Sequence, residues 1–214
     1  KSWRQVEAPG KAVAIGLPKQ PKGSNFHAMP YLEVPALVAR LIDEPPTTGR
    51  RALLLLILTA ARPGGIRHAR WEQINWSKAE WNRPAEAMKL RQPHTVTLSP
   101  QAMQLLHVIR GEQPVQPQDL IFPSVQGKPL SNMALNQILR KAGLNFNPHG
   151  FRSSFRDWAA EKMPEVPDPV AEAALAHTIP DKVVRAYKRT QFLELRRQLL
   201  DEWGGFAAPF RGMA

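Results

Sequence analysis

The chain has 214 residues, with 29 Lys+Arg against 18 Asp+Glu for a formal net charge of +11, and no cysteine. Its length sets the expectation at one domain, large enough to bury roughly 70% of the surface its unfolded chain would expose. The lack of cysteine excludes a thiol nucleophile, a disulfide framework and any zinc site built on Cys, while a pI near 10.4 points to a polyanionic partner.

Residues 1–29 carry Pro9, Pro18 and Pro21 with Lys1, Arg4, Lys11, Lys19 and Lys22 against Glu7. They read as a basic, Pro-rich linker, either an inert arm or one that lies along a polyanion. From Tyr31 the pattern becomes helical. Leu32, Val34, Leu37, Val38 and Leu41 predict a first helix that stops before Glu44-Pro45-Pro46. Arg51 to Ala61 is apolar on all sides and predicts a buried helix, too short for the roughly 20 residues of a membrane span. Arg62-Pro63-Gly64-Gly65 turns the chain, and Pro63 can open a short helix through Ile66 and Ala69 to Trp71. Met88-Lys89-Leu90 and Thr95-Val96-Thr97-Leu98 alternate about Arg91-Gln92-Pro93, which predicts a small antiparallel hairpin. Helical patterns resume at Ser99 to Arg110, Ser131 to Gly143, Pro148 to Met163 and Pro180 to about Trp203. The fold class is mainly α with a small antiparallel β-hairpin or sheet.

Three places put chemistry-bearing side chains beside an expected core. In Asn147-Pro148-His149-Gly150-Phe151-Arg152, Asn147 can cap and Pro148 can start a helix, so His149 and Arg152 fall in a first turn, where free N–H groups favour a phosphate. Arg152 lies beside the apolar stripe of Phe151, Phe155, Trp158 and Ala159 and reads equally as a solvated side chain. Arg62 ends an apolar helix directly before Pro-Gly-Gly. It either bonds the last helix carbonyls or presents a rigid guanidinium to an anion. Tyr187 shares a face with Val183 and Val184 among Lys182, Arg185, Lys188 and Arg189, a setting that suits packing or a phenolate near a phosphate. His177 follows Leu175-Ala176. There is no HExxH, GxxxxGK[ST] or GxGxxG, and the histidines do not pair at metal-ligand spacings, so neither a cofactor nor a metal is expected.

Taken together, Thr59-Ala60-Ala61-Arg62-Pro63-Gly64, Met88-Lys89-Leu90-Arg91-Gln92-Pro93-His94, His149-Gly150-Phe151-Arg152, Leu175-Ala176-His177 and Arg185-Ala186-Tyr187 resemble the catalytic domain of the tyrosine recombinase, or phage-type integrase, family. Within that family the likeness is to prophage and genomic-island integrases. The resemblance implies a catalytic-domain fold over residues 30–206, a linker at 1–29 and a tail at 207–214. It implies double-stranded DNA bearing an attachment site as substrate, a metal-independent strand transfer through a 3′-phosphotyrosine, and a bacterial cytoplasmic, nucleoid-associated location. Tyr187 would be the nucleophile, Arg62 and Arg152 the phosphate clamp with a hydrogen bond from His177, Lys89 the acid for the departing 5′ oxygen, and His149 the partner of the tyrosine proton.

Two departures stand out. Many members carry Glu three residues after the first Arg, where this chain has Gly65. Members also usually carry an N-terminal core-binding domain, so the chain reads as a catalytic-domain piece. A type IB topoisomerase shares most of these groups and is an alternative. So is a degenerate DNA-binding module, favoured by Gly65 alone. The amphipathic stretch Gln191 to Trp203, with Phe192, Leu195, Leu199 and Trp203 on one side, would either pack on its own core or dock on a neighbouring protomer in a tetrameric assembly on DNA.

Overall fold

A computed structural model describes residues 28–88, 91–111, 114–177 and 192–209. Most of the helices start and stop where local chemistry dictates. A 3-10 turn at Tyr31–Glu33 leads into α1 (Val34–Asp43), with Pro35 in its first turn and Val34, Leu37, Val38 and Leu41 buried at helical spacing. Thr47 caps α2 (Thr48–Thr59) by accepting the Arg50 N–H at 3.2 Å. Every side chain of α2 from Ala52 to Thr59 is buried, so this helix is the axis of the core. It packs against α1, α4 (Pro100–Gly111), α5 (Ala134–Lys141), α6 (Phe151–Lys162) and α8 (Leu193–Ala207). The short α3 (Pro63–Arg67) follows it directly, and α7 (Asp168–Ala174) packs on α6 and α8. Among the described residues no helix is long and apolar enough to cross a membrane.

The sheet differs from the expected hairpin. It is an antiparallel meander of β1 (Ile74–Asn75), β2 (Glu80–Arg83) and β3 (His94–Thr97) in the order β1-β2-β3. The partner of β3 is Glu80–Arg83, in the register Trp81↔Val96 and Arg83↔His94, and not Met88–Leu90. Met88 follows a 3-10 turn at Ala85–Ala87, and residues 89–90 lie outside the described ones. The physical reason is that Pro84 ends β2, while buried Trp81 faces buried Val96 and supplies the apolar pair the register needs. Lys89 therefore belongs in sequence to the connection 84–93 and is outside the described residues.

Two further differences concern helices. The segment Asp168–Ala174, to which the sequence assigns no element, is α7, with Pro169 in its first turn. Of the helix expected from Pro180, residues 178–191 are outside the described ones, and Leu193–Ala207 forms α8. The apolar face of α8 is occupied within the chain: Leu199, Leu200, Trp203 and Ala207 are fully buried, and Leu195 alone of the expected stripe is exposed. Between the two readings of this stretch, self-packing describes α8. Gly204 allows the close approach, because a Cβ there would lie 2.4 Å from Ser99 Oγ and 2.7 Å from Gln101 Oε1. At the other end Met29 is already buried and accepts from Ser154 Oγ at 2.5 Å, so packed structure includes the residue before Pro30.

Candidate active site

Two alanines in the left-handed conformation frame the site. Ala60, with φ 48°, ends α2, and Ala176, with φ 51°, ends α7. A left-handed residue with a Cβ costs about 1–2 kcal/mol, and both carbonyls are turned toward arginines. Ala60 O accepts from Arg152 Nη1 at 2.7 Å, and Ala176 O accepts from Arg62 Nη2 at 3.3 Å. The end of α7 is a Schellman motif built on Ala instead of Gly: Ala176 N–H donates to Ala173 O (3.1 Å) and His177 N–H to Glu172 O (3.0 Å). The same two residues meet again through their side chains, His177 Nδ1 and Glu172 Oε2 lying 2.7 Å apart. That double tie fixes the imidazole with Nε2 facing Arg152.

Arg152 is 4% exposed, which excludes the solvated reading. It stands in the first turn of α6, behind the 3-10 turn Pro148–Gly150 that Asn147 caps by accepting the His149 N–H at 2.8 Å. Its guanidinium donates to Ala60 O and Leu175 O, each at 2.7 Å, and lies 2.8 Å from His177 Nε2. Its Nε is buried with no hydrogen-bond partner among the described residues. Arg62 does not cap its own helix. It is the N-cap of α3, and its side chain crosses to α7. Thus both arginines are held by main-chain carbonyls, and among the described residues no carboxylate pairs with either.

The electrostatics follow. Burial and the neighbouring Arg62 and Arg83 push Arg152 down to about 9, and burial lowers Arg62 as well. Burial, then Arg152 and Arg62, hold His149 below its usual value. Burial, then Arg152, Arg62 and Arg156, hold His177 down to about 4. A neutral His177 donates from Nδ1 to Glu172 and accepts at Nε2 from Arg152. In that state it offers no proton to a phosphate; the expected donor role requires a proton at Nε2.

Four of the six expected residues, Arg62, His149, Arg152 and His177, are thus brought together from three separate stretches of chain. Lys89 and Tyr187 lie outside the described residues. Three neighbours carry no role in the sequence reading. Glu172 orients His177 and also pairs with Arg156. His94, on β3, has its ring hydrogen-bonded to the Ala174 backbone and is held down to about 3, chiefly by burial and then by Arg196 and Arg83. Arg83 lies beneath Gly65. Their one sequence signal was Glu five residues before His, at the end of a helix too short to be recognised.

The model of the phage integrase family matches residues 29–194. The chain belongs to that family. It is 32% identical to "Prophage integrase IntA" of Escherichia coli (strain K12) over 190 residues, 86% of this chain and 45% of the relative. It is 34% identical over 178 residues to "Prophage integrase IntZ" of the same organism, covering 82% of this chain and 43% of the relative. To the "Integrase" of Enterobacteria phage P4 it is 29% identical over 205 residues, 86% of this chain and 46% of that one. The chain therefore spans less than half the length of these relatives. Among solved structures, XerA recombinase shares the fold, with TM-score 0.50 at 16% identity over 84% of this chain and 70% of that one. The mainly helical integrase chain with its small antiparallel sheet thus has the tyrosine recombinase catalytic-domain fold.

The two most strongly depressed histidines, His94 and His177, set an acid limit on the stability of this domain. His94 and His177 stay neutral in the native state down to about 3 and about 4, whereas the unfolded chain protonates both near 6.5. The unfolded state then binds more protons across that window, so stability falls as pH drops from about 6.5 toward 4 and is level above it. Urea midpoints measured at pH 7.5, 6 and 4.5 should decline in that order, and His94→Gln should flatten the decline. A midpoint that holds constant to pH 4.5 would show that these imidazoles are not neutral in the native state.

Proposed function

We propose that this chain is the catalytic domain of a site-specific DNA recombinase that cuts and rejoins DNA through a 3′-phosphotyrosine intermediate. The observation that carries the reading is the buried Arg152, held on carbonyls, with no carboxylate partner and an unpaired Nε among the described residues, and with Arg62 beside it. Guanidinium groups fixed in this way lack the anion that would offset their desolvation, and a phosphodiester supplies it in bidentate form. The formal net charge of +11 extends the attraction to flanking phosphates.

In this reading Tyr187 attacks the scissile phosphorus, the new phenolic ester forms as the bond to the 5′ oxygen breaks, and Lys89 gives that oxygen its proton. His149, kept neutral by burial and by the arginines, accepts the phenol proton. Arg62 and Arg152 bear on the non-bridging oxygens. After burial it is arginine charge that holds His177 down; an arriving phosphate offsets that charge, and a proton taken up from solvent at Nε2 would let the imidazole donate to the phosphate. No metal or cofactor has a part in these steps. The substrate is the chain's own attachment-site DNA, on which protomers would assemble as a tetramer. Contacts between them would come from the C-terminal segment other than the apolar face of α8, which the chain's own core occupies. Action on the chromosome would place the protein in the bacterial cytoplasm, with the nucleoid.

The test is a nicked suicide duplex carrying that attachment site, incubated with the full-length protein in EDTA and resolved in SDS. An SDS-resistant adduct is expected from wild type, and Tyr187→Phe should bind the duplex equally and give none. An adduct that survives Tyr187→Phe would transfer the nucleophile elsewhere. Binding without any adduct in wild type would leave a DNA-binding module.

A further inference from the structure

Arg83, on β2, is a third guanidinium in the same neighbourhood and has no part in the roles so far assigned. It is 8% exposed. A Cβ built on Gly65 would lie 2.7 Å from its Nη2 and 2.8 Å from its Cζ, so the guanidinium occupies the space that any side chain at position 65 would need. Gly65 belongs to the first turn of α3, three residues after Arg62. Its own ties are slight: one long hydrogen bond to Ala87 O at 3.4 Å and a cation–π contact with Trp81 at 5.1 Å. Among the described residues no carboxylate pairs with it. Burial and then Arg62 lower its proton affinity, and Arg83 in turn lowers that of Arg152, so the three charges repel one another in the free protein.

A buried cation with no counter-ion among the described residues, repelled by other cations, is costly to the fold. A structural explanation by packing would favour an apolar side chain here, since Trp81 already seals the sheet against Val96. An anion bound across Arg62 and Arg152 would turn the same arrangement from repulsive to attractive. We propose that Arg83, seated in the space left open by Gly65, is a third guanidinium of the phosphate site and adds its charge to those of Arg62 and Arg152 on the scissile phosphodiester. Gly65 is then the condition for the site and not a sign of its decay: where relatives with Glu at this place put a negative charge beside the first Arg, this chain puts a positive one.

The proposal rests on the recombinase reading, and the experiment separates the two. Single-turnover cleavage of the suicide duplex and the thermal midpoint are measured for wild type, Arg83→Met and Arg83→Lys. Arg83→Met should slow cleavage about 100-fold, the loss typical of one preorganised transition-state donor. Its midpoint should equal or exceed that of wild type, because an unpaired buried charge has been removed. Arg83→Lys should recover most of the rate. Cleavage by Arg83→Met at the wild-type rate would overturn the proposal, as would a slower rate accompanied by a lower midpoint, which marks a packing role. Absence of an adduct from wild type would remove the recombinase reading and this proposal with it.

Discussion

Arg152→Lys is expected to lower the rate of DNA cleavage about 100- to 1,000-fold while leaving affinity for the duplex nearly unchanged. The charge survives the substitution but the geometry does not. Arg152 spans Ala60 O, Leu175 O and His177 Nε2 with one rigid fork, and its Nε remains for a ligand. A lysine ammonium is a single point of donation on a flexible stem, and it cannot bridge the ends of α2 and α7 while facing a phosphate. The other buried carbonyl loses its donor, at about 1–3 kcal/mol. His177 also loses the N–H that its Nε2 accepts. Arg152→Lys should therefore be both slower and less stable, unlike Arg83→Met, which should be slower but no less stable. Single-turnover kinetics beside urea unfolding would read both quantities. A variant within tenfold of the wild-type rate would mean that the fork is scaffolding and the clamp lies elsewhere.

What the sequence disclosed follows the same division between local and tertiary causes. The spacing of Val34, Leu37, Val38 and Leu41 and the unbroken apolar run of α2 are local signals, and they predicted α1 and the buried helix α2, which starts at Thr48, three residues before the expected Arg51. Strand β2 was missed because Glu80 and Arg83 are charged yet buried, so its pattern reads as polar surface, while the neighbouring Met88-Lys89-Leu90 alternates more cleanly. Helix α7 was missed because it is short and carries two prolines at its start, Pro167 and Pro169. The residues of the site were legible through family resemblance, but their physical state was not. That Arg152 is buried, that His177 Nε2 lies against Arg152, and that Arg83 fills the place of a side chain at 65 depend on contacts between segments far apart in sequence. Gly65 reads in sequence only as a lost carboxylate, because the guanidinium that fills the space beside it comes from β2.

Trp203→Ala should cost about 3–5 kcal/mol of unfolding free energy, the range for deleting a large aromatic from a packed core. Trp203 is fully buried on α8, and its Nε1 donates to Ile57 O at 2.7 Å on α2. Its ring meets Phe155 edge-on at 5.6 Å and lies 5.2 Å from Trp158 and 5.7 Å from Phe206, so the deletion empties the middle of an aromatic cluster that spans α6 and α8. The Ile57 carbonyl keeps the Ala60 N–H at 3.3 Å, so the loss is one of packing more than of an orphaned acceptor. Trp203→Phe, which keeps a ring and gives up the N–H, should cost much less. Because most domains hold only about 5–15 kcal/mol in all, Trp203→Ala would bring this one close to unfolding, and α2, whose last carbonyl holds Arg152, would loosen with it. The measurement also tests how firmly the self-packed α8 is held. If α8 is integral to the domain, urea midpoints should fall by the full amount at any protein concentration. A cost below about 1 kcal/mol, far under the core range, would mean that α8 is only lightly held and free to leave for a neighbouring protomer.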